Sequence, residues 1–342
     1  MDPISQAAFG SLWAQAGHRS RPRKVREAAV AGGLAGMAPD LDVLIRSSND
    51  ALLFIDYHRH FTHSIAFAPI GAMLVTGALW PLMRSRLQFG QLYLYCFLGY
   101  LSHGILDSFT SYGTHLSWPF NEARAALNWI SVIDPLFTLP VLVLLGLCYW
   151  RQKIQFSVFA AIWAVMYLAL GGWQHHRAEQ ATVEWAQAEG ISAQRIVAKP
   201  SFANLLLWRG LVDDGETFYA VAVRIPPLGK ATLHPGDSIA ALRSEQLAEG
   251  NSRIARDIER FTHFSDGWVF RYPALETNQE WFVGDFRYAI DPASARPLWG
   301  IRGKTDAPNE GVSFERLREV DETERENFMR RLRLTATEPE RR

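Results

Sequence analysis

Four histidines and three aspartates in the first third of the chain have the types and spacings of metal ligands. They are Asp40 and Asp42 in Ala-Pro-Asp-Leu-Asp, His58, His60 and His63 in Tyr-His-Arg-His-Phe-Thr-His-Ser, and His103 and Asp107 in Ser-His-Gly-Ile-Leu-Asp. Residues four apart share one helical face, so His103 and Asp107 can bind one ion through an imidazole nitrogen and a carboxylate oxygen. His60 and His63 can share a face in the same way. The Asp-x-Asp pair, in a proline-initiated turn, offers one bridging and one terminal carboxylate. Mixed His/Asp ligation suits a divalent ion, zinc first, with manganese and iron as the alternatives. The two cysteines, Cys96 and Cys148, sit in apolar runs with no CxxC spacing, so no thiolate site is expected. An ion in such a site lowers the pKa of bound water to about 7 and supplies hydroxide for hydrolysis. His115, in Tyr-Gly-Thr-His, is a further candidate ligand, and Arg59 and Arg124 are candidate bidentate donors to a phosphate.

Each cluster taken singly has a structural explanation: a hydrogen-bonded histidine in a bundle, aspartates capping a turn, a polar cuff beside a membrane segment. The elements that must position them argue for convergence. Residues 1–173 hold 12 Lys/Arg and 9 Asp/Glu, whereas the remaining 169 hold 23 and 26, so an apolar part ends near Trp173 and a polar part follows. Within the apolar part, four stretches read as spanning helices at about 20 residues each: Ile65–Met83, Phe89–Leu106, Val132–Trp150 and Phe156–Trp173. Two shorter ones, Ile4–Ala16 and Ala28–Ala38, read as a helical hairpin dipping partway in.

Lys and Arg in the connections set the expected orientation. Arg19, Arg21, Arg23, Lys24, Arg26, Arg84, Arg86, Arg151 and Lys153 fall on one side, against Arg46, Arg59 and Arg124 on the other. The nine are then cytoplasmic, and all seven His/Asp residues lie at one outer level. The expected fold is a mainly α polytopic bundle of about four spans plus the N-terminal hairpin (residues 1–173), followed by an extracytoplasmic, periplasmic α+β domain (174–342). In that tail His175–Glu189 reads as a helix, and Thr217–Ile225, Gly267–Arg271, Glu280–Ile290 and Leu298–Arg302 read as strands. Phe314–Leu334 reads as a charged helix. Zero formal charge excludes a broad nucleic-acid footprint.

Five motifs in order carry a family resemblance: Met-Asp-Pro-Ile-Ser-Gln-Ala at the start, Ala-Pro-Asp-Leu-Asp at 38–42, His-Arg-His-Phe-Thr-His-Ser at 58–64, the run at 98–120, and Ile-Asp-Pro-Leu-Phe at 133–137. Over about residues 1–150 the chain resembles the YdjM-like, LexA-regulated inner-membrane proteins described as metal-dependent hydrolases. The resemblance implies an integral membrane protein of the bacterial inner membrane, with Asp40, Asp42, His58, His63, His103 and Asp107 at the metal positions. The family's opening histidine is Gln6 here, a weaker ligand, and His60 stands where the family has glycine. The ligand types and their order also resemble the zinc-dependent phospholipase C and single-strand nuclease group, an analogy that points to a phosphodiester and raises the expected content from one ion to as many as three.

The expected function is metal-dependent hydrolysis of a lipid or lipid-linked phosphate, with membrane lipids as partners. The alternatives are a metal or ion transporter, and a non-catalytic scaffold with a structural metal. A transporter would place ionisable residues at several membrane depths, and the inner halves of the four expected spans carry none.

Overall fold

The computed structural model describes residues 1–17, 24–243, 252–307, 309–317 and 322–333. His18 and the loop arginines Arg19, Arg21 and Arg23 lie outside the described residues. In chain order the helices are α1 (Pro3–Ala16), α2 (Val25–Met37), α3 (Leu53–Tyr57), α4 (Ala68–Met83), α5 (Phe89–Ser108), α6 (Pro135–Arg151) and α7 (Gln155–Ala188). Two 3-10 turns, Ala38–Leu44 and Phe61–His63, interrupt the series. The chain divides into two compact units. The first comprises Met1–Ile45, Tyr57–Trp173 and Phe202–Asn204; the second comprises Arg46–Asp56, Gln174–Ser201 and Leu205–Arg342.

In the first unit α1, α2 and α5 touch backbone to backbone. A Cβ on Gly10 would lie 2.4 Å from the Gly32 carbonyl oxygen, and one on Gly99 would lie 2.2 Å from the same oxygen. Gly36 likewise abuts the Gln6 carbonyl, so α1 and α2 run antiparallel. Side-chain caps fix the helix starts. Asp2 accepts from the Ile4 and Ser5 amides ahead of α1, and Asp134 from the Leu136 and Phe137 amides ahead of α6. The core of this unit is small: Ala14, Ala28, Ala31, Ala35, Ala68 and Ala72, filled out by Leu92, Tyr95 and Tyr100. Alanine-lined faces allow the close approach that the glycines begin.

The four expected spans are not what the chain builds. Among the described residues α7 alone is long and apolar enough to cross a membrane. The first expected span becomes α4, 16 residues or about 24 Å, short of the roughly 30 Å hydrocarbon core. It passes the length test only when joined to Leu53–His63 across an 89° bend, as a broken span or re-entrant loop. The second, α5, has the length, but Gln91, three tyrosines, Ser102 and His103 dilute its apolar character. The third, α6, has 17 residues and starts after the polar cap Asp134. Counting apolar residues cannot distinguish a lipid-facing helix from one buried against its neighbours. With one qualifying helix, the alternation of sides that made the chain multi-pass and its tail periplasmic loses its basis.

α7 is 34 residues long, about 51 Å. It runs without a break from an apolar half, ending at Trp173, into the polar stretch read as the separate helix His175–Glu189. The second unit then forms two four-stranded antiparallel meanders. One is β1 (Arg195–Pro200), β2 (Leu207–Asp213), β3 (Thr217–Arg224) and β4 (Thr232–Ala240). The other is β5 (Val269–Arg271), β6 (Glu280–Asp285), β7 (Trp299–Lys304) and β8 (Ser313–Arg316). Between them lies α8 (Arg253–Phe264), and α9 (Glu322–Arg333) follows. Phe218, Trp268, Phe270 and Phe286 pack into a common core that draws on both sheets. The expected helix Phe314–Leu334 is corrected at its start: Phe314 pairs with Ile301 and Arg316 with Trp299, so ladder bonding to β7 takes these residues into a strand.

Candidate metal centre

Three short segments of the first unit deliver the polar residues to one place. The turn Ala38–Leu44 brings Asp40 and Asp42, the turn Phe61–His63 brings His63, and the last helical turns of α5 bring His103 and Asp107. Gly104, beside His103, makes this approach sterically feasible, because a Cβ there would lie 2.2 Å from the His63 carbonyl oxygen.

Asp40, His63, His103 and Asp107 form one group able to hold an ion, and Asp40, Asp42 and His58 form a second. In the first group His63 Nε2 lies 2.9 Å from His103 Nε2 and 3.4 Å from Asp40 Oδ1. The three distances His103 Nε2–Asp40 Oδ1, His63 Nε2–Asp107 Oδ2 and His103 Nε2–Asp107 Oδ2 are each 3.5 Å. A tetrahedron with metal–ligand bonds of about 2.05 Å has edges of about 3.3 Å. Five of the six edges therefore lie close to those of a tetrahedral first-row site.

The tautomers agree with the distances. His103 Nδ1 faces the Gly36 carbonyl at 2.6 Å and must donate to it. His63 Nδ1 faces Thr62 Oγ1 at 3.0 Å and Asp42 Oδ2 at 3.3 Å. In the neutral rings each Nε2 then carries a lone pair, and the two lone pairs point at one another. A proton or a cation must separate them. Asp107 Oδ2, buried at the same point, accepts no hydrogen bond, and Gln6 Oε1 beside it is buried without a hydrogen-bond partner. The residues present fit a divalent cation.

The surroundings hold these groups still. Asp42 Oδ2 accepts from the Arg59 amide at 3.0 Å and from Thr62 Oγ1 at 2.8 Å, while Oδ1 lies 2.7 Å from His58 Nδ1. Asp42 thus orients His63 as a carboxylate orients a ligating imidazole, besides belonging to the second group. Gln6 Nε2 donates to Asp107 Oδ1 at 2.8 Å, and the Met1 amino group donates to the same oxygen. Burial pushes the Asp40 carboxyl up, but the adjoining His103 and His63 rings outweigh it and hold the group well below the usual carboxylate range. Asp42 is held down in the same way, against burial, by His58 and His63.

Arg59 is 5% exposed, with Nε 3.3 Å from Asp107 Oδ2, Nη1 donating to Thr110 Oγ1 at 3.1 Å and the guanidinium over the Tyr112 ring. Its φ of 62° is the left-handed region for a non-glycine residue, and the Asp42 and His115 backbone bonds on either side keep it there. His60 and His115 stand outside both ligand groups. Their rings pack at 4.7 Å, His60 lies against Trp118, and His115 Nε2 accepts from Arg124 Nε at 3.1 Å. Asp134 caps α6 and accepts from Tyr167 Oη at 2.8 Å. Thr62 and the Gly36 carbonyl were not legible as parts of the centre. Gly104 was the one available signal, a glycine inside an apolar helix next to a candidate ligand.

One helix long and apolar enough to cross a membrane, a buried His/Asp cluster able to hold a cation and a β-rich second unit are the features of a membrane protein with a candidate metal centre. The model of the YdjM inner membrane protein family matches residues 1–178, and the chain belongs to that family. It is 28% identical to "Inner membrane protein YbcI" of Escherichia coli (strain K12) over 148 residues, 36% of this chain and 83% of that protein. It is 29% identical to "Uncharacterized protein YfhP" of Bacillus subtilis (strain 168) over 130 residues, 38% of this chain. The match spans only 39% of YfhP's length. No solved structure matches the chain.

Proposed function

We propose that this inner-membrane protein is a metal-dependent hydrolase whose centre is Asp40, His63, His103 and Asp107, with zinc as the resident ion and a lipid or lipid-linked phosphoester as substrate. The observation that carries the reading is the pair of Nε2 atoms facing each other at 2.9 Å between two carboxylates. Two imidazoles and two carboxylate oxygens at tetrahedral edges are a donor set for zinc. Held by three of these donors, with Asp40 as the exposed fourth, an ion would have room to supply an activated water and charge stabilisation at a phosphoryl oxygen.

The chain's own groups do the rest. Gly36 and Asp42 hold His103 and His63 with their Nε2 atoms turned inward. Arg59 balances the Asp107 charge and is committed to that carboxylate, to Thr110 and to Tyr112, while Arg124 is bonded to His115 Nε2. Asp40 is the solvent-reached member of the quartet, with a side chain 21% exposed against 0% for the other three, so substrate and water approach beside it. Asp40 also belongs to the second group with Asp42 and His58, which would hold a second ion.

A test uses the full chain purified in detergent. Metal content is measured first, then hydrolysis of a phosphodiester such as bis-(p-nitrophenyl) phosphate, and then lipid composition in cells with and without the protein. Stoichiometric zinc with activity abolished by Asp40→Asn supports the reading. No zinc, manganese or iron in the purified protein ends it. Metal with no hydrolysis and no lipid change, but unfolding when the ion is stripped, converts it to a scaffold with a structural metal.

A further inference from the structure

Between the ligands Asp42 and His58 the chain leaves the first unit: Arg46–Asp56 is part of the second, β-rich unit. The side chain that grips this strap at most points is Arg260 of α8, beside Arg253, which donates to the Asn49 carbonyl, and Arg316, whose guanidinium lies over the Phe54 ring. All five of the Arg260 N–H groups are used. Nε donates to Asp56 Oδ2 at 3.0 Å, Nη1 to Asp50 Oδ1 at 3.0 Å and to Asp257 Oδ1 at 3.1 Å, and Nη2 to Asp50 Oδ2 at 3.0 Å and to Asp56 Oδ2. Asp50 and Asp56 lie at either end of the strap's folded part, so a single planar guanidinium pins both ends to one helix. Apolar contacts complete the anchorage. Leu52 and Ile55 are fully buried, and Phe54 meets Phe314 of β8 edge-on at 4.9 Å.

Asp56 precedes His58 by two residues, and Arg46 follows Asp42 by four. Any freedom in the strap becomes freedom in the backbone that carries His58, Arg59 and His63. The Arg59 amide and the Thr62 hydroxyl, which fix Asp42 Oδ2, lie on that same backbone.

We infer that Arg260 is a positioning residue for the metal centre: by pinning Asp50 and Asp56, it makes the second unit set the spacing of Asp42, His58 and His63. This gives Arg260, which lies beyond the matched family region, a role in the chemistry of the first unit. The inference rests on the metal reading above, and the experiment separates the two.

Full-length protein in detergent is stripped and titrated with Co2+, reading affinity by chelator competition and ligand geometry by the visible absorption spectrum. Arg260→Ala is expected to weaken binding about ten-fold, the low end for a residue that supports metal ligands, and to broaden or shift the spectrum. Arg260→Lys, one charge without the fork, recovers part of the affinity. Arg302→Ala, which removes the Glu280 and Glu315 pairs within the second sheet, leaves both readouts unchanged. If Arg260→Ala does not fold, the Asp50→Asn/Asp56→Asn double variant, which frees the strap and keeps Arg260 on Asp257, is read in the same way. Wild-type protein that binds no Co2+ defeats the metal reading. Wild-type binding with an identical affinity and spectrum in the strap variants overturns the role of Arg260.

Discussion

At the scale of single residues, the centre is defined by which nitrogen each histidine turns inward. His63 depends on Asp42 and His103 on the Gly36 carbonyl, so the four candidate ligands and Asp42 should respond differently to mutation. His63→Ala and Asp107→Asn are expected to leave the purified protein with little or no bound metal by elemental analysis. Asp42→Asn, which removes the charge orienting His63, should lower affinity 10–100-fold while retaining some ion; full occupancy in His63→Ala would contradict the proposed ligand set. The donors were legible because side-chain type and order are written directly in the chain. Asp40, Asp42, His58, His63, His103 and Asp107 all fall in the two groups. His60 could not be separated from its neighbours by spacing alone, since its place outside the two groups depends on the tilted packing of its ring against His115 and on the left-handed backbone at Arg59.

At the scale of elements, the unit works through close backbone contact. Gly104 is the sharpest instance. Gly104→Ala is expected to destabilise the protein by about 1–3 kcal/mol through overpacking and to weaken metal binding as His63 is displaced. Gly77→Ala in α4 has nothing within 4 Å and should be neutral or slightly stabilising. Thermal unfolding of the two variants side by side checks both. These contacts also explain why the helices were legible while the number of full spans was not. α1, α2, α4, α5 and α6 all stand where the apolar runs lie. However, whether a run faces lipid or another helix is decided by the partner surface, which the run does not contain. Val165 on α7 is 66% exposed within the qualifying helix. Val165→Arg should therefore release protein from carbonate-washed membranes, an arginine at mid-helix costing about 2.5–3.5 kcal/mol. Glu184→Arg, in the polar half of α7, should not.

At the scale of the whole molecule, the second unit contributes a pH dependence of its own. Lys199 on β1 is buried, and burial followed by the nearby Arg287 charge lowers its pKa to about 7. Between about pH 7 and 10 the unfolded chain holds a proton there that the folded chain has released, so stability rises with pH across this window, by at most about 1.4 kcal/mol per unit. Below pH 7 both states are protonated and the slope vanishes. Thermal melts of the full chain should show this rise, and Lys199→Met should remove it; a melt that falls from pH 7 to 9 in the wild type and not in the variant would reverse the assignment. The strap was illegible in the sequence for a related reason, since a guanidinium and its carboxylate partners have no periodicity to link them. Asp56 and Arg260 are 204 positions apart. On a ribosome extending at about 5–20 residues per second, the anchor for Asp56 is made roughly 10–40 s after Asp56 itself. Nascent chains therefore pass through a period in which every candidate ligand has been synthesised and none is yet held by the strap.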